Sequence, residues 1–346
     1  MSNLLFIATA ATLIGAMLAW SFRHLTRERW QFVGAIPTRK CADGAFDGVN
    51  LTYYGLLNAN AYVLATAVAV IALGAMGIPL AVSAAILAAM LGCCMPAARI
   101  IARIVEKKRF TFSVGGAAFV GILIVPWIAL AAGRMSKAEV DPLGVMAAVA
   151  IAYAFGEGAG RLACISFGCC YGRPVASLPG PLKGIFRRFH FVFRGETKKC
   201  AYASRLDGTP VVPVQAITAV LYCAAGVISL ALLLNGYPRT AMILSLVITQ
   251  LWRFFSEFLR SDYRGDRKIS AYQIMGLAGI AYGLAVAALM PPQTMPRPDI
   301  TAGLAQLWAP GPILMLQLLW IGAFLYTGRS QVTGASIRFF VHQDRI

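Results

Sequence analysis

The chain of 346 residues is 59% apolar and only 13% charged, with 31 Lys and Arg against 14 Asp and Glu and a formal net charge of +17. A charged fraction roughly half that of ordinary soluble domains excludes a water-soluble globular enzyme, and apolar runs of bilayer-crossing length make the class an all-α polytopic membrane protein. The short alternating segments of a membrane barrel are absent, and the basic residues sit in short loops rather than in an aromatic-interleaved stripe, so no nucleic acid is expected as a partner.

The N-terminal run NLLFIATAATLIGAMLAW has no basic residue before it and RHLTRER after it. That is the reverse of a signal peptide's charge order and reads as a retained span with its N-terminus outside. The polar stretch containing PTRKCADGAFDGVN reads as a surface loop. Further spans are expected at 52–76, 80–102, 115–133, 143–162, 212–234, 240–258, 271–290 and 311–328, giving about nine transmembrane helices around a central polar cavity. Between the fifth and sixth lies the longest polar insert, about 174–210, whose KGIFRRFHFVFRGETKK mixes cations and aromatic rings in a way suited to lipid headgroups. No internal repeat is evident. Three regions are expected: an appended N-terminal span and loop (1–50), a membrane core (51–290), and a proline-rich link with a further span and basic tail (291–346). Most of the excess charge follows from Lys and Arg setting topology, and the rest favours anionic phospholipid near the headgroups.

Ionisable residues interrupt the apolar pattern at two main places. Glu157 and Arg161 lie four apart on one helical face, and Arg253, Glu257 and Arg260 share another in WRFFSEFLR. A weaker third place is LTYYGLL, with Tyr53 and Tyr54. Buried arginine is costly unless it is paired or faces a cavity. One reading is internal salt bridges that fix helix packing. The other is guanidinium forks presented to a phosphate, with Glu157 and Glu257 orienting the arginines. The glycines of GEGAG, Gly168, Gly172 and the pair Gly115–Gly116 admit either close small-residue packing or a broken helix with N–H groups free for an anion.

Of the eight cysteines, most fall in or beside apolar runs, so a disulfide framework is not expected. Cys164, Cys169 and Cys170 in GRLACISFGCCYGR lack C-x-x-C spacing, and His24, His190 and His342 lie away from span centres. No metal and no cofactor are therefore called for. Cys93–Cys94 reads as ordinary packing.

Taken in order, LTYYGLL, FSVGG, GRLACISFGCCYGR, VPVQ, WRFFSEFLR and ISAYQIMGLAGIAYG resemble the successive motifs of the bacterial prolipoprotein diacylglyceryl transferase family over about 50–290. The resemblance implies a multi-pass enzyme of the bacterial cytoplasmic (inner) membrane. Members of the family move the diacylglyceryl group of phosphatidylglycerol onto the thiol of a lipobox cysteine and release glycerol phosphate, so the donor expected here is phosphatidylglycerol or another anionic phospholipid. The resemblance implies catalytic roles for Tyr54, Arg161, Arg253 and Glu257. It implies substrate-binding roles for Gly115, Gly116, Glu157, Gly160, Cys164, Cys169, Cys170, Gly172, Gln215, Arg260 and Gln273. This chain departs from the family pattern where a histidine is replaced by Val114, an asparagine by Cys164, a glutamate region by Cys169–Cys170, a second histidine by Val212 and a tyrosine by Thr249. The anion-binding parts are kept while the groups that meet the acceptor differ, which leaves the acceptor as an unknown protein or lipid. A covalent route through Cys169 or Cys170 is a second mechanism. The non-enzyme alternative is a phospholipid-binding, transport or scaffold protein.

Overall fold

The computed structural model describes residues 2–107, 113–136, 139–261, 269–291, 297–339 and 341–345. The described residues are predominantly helical, so the all-α class stands. Among the described residues, the helices long and apolar enough to cross a membrane are α1 (Asn3–His24), α2 (Tyr53–Ala75), α3 (Leu80–Glu106), α4 (Val114–Ser136), α5 (Pro142–Phe167), α8 (Val214–Leu234), α9 (Pro238–Leu259), α10 (Ala271–Leu289) and α12 (Pro310–Thr327). Each matches an expected span to within a few residues. The agreement is physical: a backbone in hydrocarbon must make its own hydrogen bonds, so apolar runs of this length become helices. Three short helices lie between them: α6 (Gly180–Arg188), α7 (Lys199–Ser204) and α11 (Ile300–Leu307).

Helix α5 is the axis of the bundle. It is 67% buried along its apolar stretch, against 11% for α1 and 6% for α12, which face outward. It packs most extensively on α2 and α8. Small residues permit this: a side chain at Gly156 would meet the Ala65 Cβ at 2.7 Å, and one at Gly158 would meet the Cys223 Sγ at 2.8 Å. Of the two readings of GEGAG, the broken helix is not found, because α5 runs unbroken through it to Phe167. Its N–H groups there belong to the helical ladder and hold no anion. The glycines serve close packing instead.

The stretch expected to be a loop after α1 is a hairpin. Strands β1 (Phe32–Lys40) and β2 (Phe46–Thr52) pair antiparallel, and β5 (Arg329–Ile337), from the C-terminal tail, adds to β2. The order is β1-β2-β5, with Pro37 on the edge strand β1, where its missing N–H does least harm. The hairpin escapes notice in the sequence because β1 is exposed along nearly its whole length and shows no apolar-polar alternation. A second, two-residue pair, β3 (Phe191–Val192) with β4 (Pro210–Val211), closes the insert after α5.

This sheet lies where α1 ends, α2 begins and α12 ends, so all three termini share one face of the membrane bundle. The carbonyl ends of α5 and α9 meet on it too: Arg173 N–H donates to the Leu259 carbonyl at 2.8 Å and Ser261 N–H to the Tyr171 carbonyl at 3.1 Å. Among the described residues, only Arg134, Arg239 and Arg297 of the lysines and arginines lie towards the opposite face. The described Lys and Arg are thus concentrated on the sheet-bearing face.

Candidate active site

The side chains of the site converge below the sheet-bearing face. Tyr153, Glu157 and Arg161 recur at four-residue intervals on α5, so their side chains form one stripe. Arg161 pairs with Glu157 along that stripe. From α9, Arg253 reaches across: its Nη2 lies 3.5 Å from the same Glu157 Oε1 and donates to the Tyr153 hydroxyl at 2.6 Å. The side chains of Arg161, Glu157 and Arg253 are 12%, 9% and 11% exposed, so one buried carboxylate is shared by two buried guanidinium groups. Glu257, one turn on from Arg253, adds a second carboxylate to its field. The Nε–H donors of both Arg161 and Arg253 are buried without a hydrogen-bond partner among the described residues. Arg161 lies six residues before the end of α5, about 9 Å inside it at 1.5 Å per residue.

Gly115 and Gly116 open α4 beside this pair. A Cβ on Gly115 would meet Tyr272 Cδ1 at 2.9 Å and Arg253 Nη1 at 3.0 Å. Gly115 therefore makes room for the Arg253 guanidinium. Gly116 differs: its N–H is capped by Ser113 Oγ at 3.1 Å, and a Cβ there would strike Ile101 at 2.7 Å. Gly160 faces Ala61 at an ordinary 3.8 Å.

Below Arg161 the helix ends in a Schellman cap. Gly168 takes φ +70, its N–H donates to the Ile165 carbonyl at 3.2 Å, and Cys169 N–H donates to the Cys164 carbonyl at 3.0 Å. This cap folds the second residue past the helix end back over the residue five before it, here Cys169 over Cys164. Cys170 is also left-handed, at φ 55, and turns the chain again. The Sγ atoms of Cys164, Cys169 and Cys170 all lie within 4.8 Å of one another. Spacing of the C-x-x-C kind is thus unnecessary, since the cap does the gathering. Thiol hydrogen bonds from Cys164 and Cys169, then the positive charges of Arg260 and Arg161, hold the Cys170 thiol well below its ordinary range against the opposing effect of burial.

Gln215, from α8 and 1% exposed, donates Nε2–H to the Cys169 carbonyl at 2.8 Å, while its Oε1 has no partner. Gly172 pairs with Arg260 across the short bridge joining the α5 and α9 ends, and a Cβ there would meet the Val212 carbonyl at 2.3 Å. Tyr54, at the start of α2, stacks at 5.4 Å on Phe167 and lies within the field of all three thiols.

The fold thus brings Tyr54, Glu157, Arg161, Cys164, Cys169, Cys170, Gln215, Arg253, Glu257 and Arg260 to one region. Gln273 stands apart in role: its Oε1 accepts from Ser270 N–H at 2.8 Å in a capping box, and its Nε2 donates to the Phe254 carbonyl at 3.0 Å. Tyr153 is a member the motifs did not name, although its spacing from Glu157 and Arg161 is legible. Tyr222 is another neighbour, its ring 6.1 Å from that of Tyr153 and its hydroxyl donating to the Thr249 carbonyl at 2.5 Å. Phenols therefore come from α5 and α8, beside the Thr249 position. The surface depression lined by Pro181, Gly184, Ile185, Arg188 and Phe189 lies on α6, away from these groups.

A family model described as prolipoprotein diacylglyceryl transferase matches residues 45–289. Among curated proteins, no sequence matches the chain significantly. The matched region runs from β2 to the end of α10 and holds every residue of the site. The chain belongs to the prolipoprotein diacylglyceryl transferase family, multi-pass membrane transferases of the bacterial cytoplasmic membrane that act on a phospholipid donor.

Proposed function

We propose that the chain transfers the diacylglyceryl group of phosphatidylglycerol to an acceptor and releases glycerol phosphate. The observation that carries this reading is the pair Arg161 and Arg253, held from different helices by one carboxylate, each with an unpartnered buried Nε–H. The three arginines Arg161, Arg253 and Arg260 against the two carboxylates Glu157 and Glu257 leave one positive charge in a weakly polar interior. A phosphodiester supplies the missing charge and accepts the unmade hydrogen bonds.

When the bond from the glycerol carbon to the phosphate oxygen breaks, negative charge grows on the departing phosphate. Fixed arginines stabilise that charge more in the transition state than in the bound lipid. Tyr153 and Glu257 restrain Arg253, while Glu157 restrains both arginines. The acceptor attacks the carbon from the side away from the phosphate. Val114 stands where the family has a histidine, so activation of the acceptor rests on other groups.

The test is release of labelled glycerol phosphate from phosphatidylglycerol vesicles by the purified full chain with membrane extract as acceptor source. Arg161→Ala and Arg253→Ala are each expected to slow release by about 10²–10³-fold. Undiminished release in either variant would refute the role. The replacement of the family histidine by Val114 favours one second reading, a phospholipid-binding protein without turnover. Lipid binding that depends on both arginines, with no release in any extract, would establish that reading instead.

A further inference from the structure

We infer that Cys164, Cys169 and Cys170 form a three-thiolate site for a zinc ion whose fourth position takes the thiol of the acceptor. The inference rests on the transferase reading above and on the thiol acceptor that the family resemblance implies.

The geometry comes first. Zn–S bonds of about 2.3 Å in a tetrahedral set hold sulfurs about 3.8 Å apart. The three Sγ atoms already lie within 4.8 Å of one another, so closing on an ion needs only side-chain adjustment. The backbone that gathers them is independently built. A Schellman cap at Gly168 returns Cys169 over Cys164, and the left-handed Cys170 turns the third thiol back to the pair. A left-handed non-glycine residue is uncommon and is retained where the surroundings hold it. Gln215, 1% exposed, anchors the turn through the Cys169 carbonyl, and the Oε1 of the same amide is buried with no partner.

The number of ligands separates the possible ions and roles. Structural zinc sites are closed by four protein ligands, whereas sites with three leave a position for substrate. Among the described residues, no carboxylate or imidazole joins the three thiols. Cys164 and Cys170 are half-buried rather than sealed, which leaves an approach open. All three are free cysteines in the structure.

The position suits the chemistry. Cys164 follows Arg161 by one helical turn, so an ion on the thiols sits next to the guanidinium that would receive the leaving phosphate. A thiol bound to zinc gives up its proton to solvent and stays a nucleophile at neutral pH. Its sulfur forms the bond to the glycerol carbon. The bond from that carbon to the phosphate oxygen breaks, and the electron pair leaves with glycerol phosphate against Arg161 and Arg253. The thioether product binds zinc more weakly than a thiolate and departs. No electrons are exchanged, and the ion returns to its starting ligation. The site thus replaces the activation that Val114 cannot supply.

The full chain would be purified in detergent under reducing conditions, with metal content measured by mass spectrometry and Co²⁺ used as a spectroscopic probe. One zinc per chain and a thiolate-to-cobalt absorption band are expected. Cys164→Ser, Cys169→Ser and Cys170→Ser should each lower zinc content severalfold and weaken the band, while Cys200→Ser and Cys223→Ser leave both unchanged. Addition of a cysteine-containing peptide should perturb the cobalt band; the serine-containing peptide should not. With phosphatidylglycerol vesicles, chelation should abolish transfer to the cysteine peptide and Zn²⁺ should restore it. Zinc content that is negligible in the native chain, or unchanged when all three thiols are serine, would overturn the site. Full transfer after chelation would overturn its part in the reaction. Arg161→Ala should lose transfer but keep zinc and the peptide-dependent band. If zinc binds through the three thiols and the peptide perturbs the band, yet no variant or native chain turns over lipid, the transferase reading fails while the thiol-binding metal site stands.

Discussion

Replacing Glu157 by glutamine removes the one carboxylate shared by Arg161 and Arg253 without changing its shape. At the observed 3.5 Å from Arg253, the lost attraction is about 5 kcal/mol for an effective dielectric of about 20. The amide still accepts hydrogen bonds, and two guanidinium groups 11–12% exposed are left facing one another. Breaking a buried pair in this way costs about 3–5 kcal/mol. The assay is thermal unfolding of the full chain in detergent, followed by tryptophan fluorescence, with and without phosphatidylglycerol. The midpoint should fall by several degrees in the variant without lipid. Added phosphatidylglycerol should then raise it more than in the native chain, because the interior charge to be neutralised has doubled. A zwitterionic lipid should produce no such difference. An unchanged midpoint, or an equal lipid effect in both chains, would refute the shared-carboxylate account and with it the charge balance on which phosphate binding rests.

Adjacent glycines should separate function from stability. Gly115→Ala places a methyl group 2.9 Å from the buried Tyr272 ring and 3.0 Å from Arg253 Nη1 and should lower glycerol phosphate release by the folded fraction by about 10²-fold, a larger effect than its fall in unfolding midpoint, since small displacements at a reacting centre are costly. Gly116→Ala pushes on Ile101 between α3 and α4 and should lower the midpoint more than the turnover of the folded fraction; the reverse pattern would misassign the two positions. A pH effect is expected from Lys198, fully buried in the insert with Nζ donating to the Leu25 and Ser166 carbonyls. Burial pushes its pKa from 10.5 down to about 8. Below pH 8 the amine is charged in both folded and unfolded chains and folding bears the full desolvation penalty. As pH rises through 8 the folded amine loses its proton while the unfolded one keeps it, so stability rises by up to about 1.4 kcal/mol per pH unit. Burial also lifts Cys200 from 9.0 to about 11, which opposes the rise above pH 9. Between pH 8 and 9 the midpoint of the native chain should therefore gain on that of Lys198→Met, and a constant difference would contradict the assignment.

Some features of this protein are local and so are legible in the chain itself. A run of about twenty apolar residues must become a helix in a bilayer, whatever its neighbours, because no water is there to satisfy a looser backbone. A buried arginine must find a partner, and the four-residue spacing of Glu157 and Arg161 already supplies one. The order of weak motifs from Tyr54 to Gln273 likewise survives in one dimension, and the matching family model covers the same stretch.

Other features depend on which helix ends meet. Arg253 could have paired only with Glu257 on its own helix; that it reaches Glu157 and Tyr153 follows from how α9 packs on α5. The sheet joins residues some 290 positions apart, Asp47 with Ser336, and its exposed first strand carries no periodic signal. Gln273 reads as a polar site residue in sequence and is a capping residue in space. The cysteines changed most. Their spacing of five and one fits no familiar ligand pattern, because such patterns assume that neighbouring backbone sets the distance between side chains. Here a left-handed glycine ends α5, the next residue folds back over the last turn, and a second left-handed residue closes the turn. Apolar length and charge spacing determined the helices and the arginines, while three thiols became one cluster only through the path of the chain after Phe167.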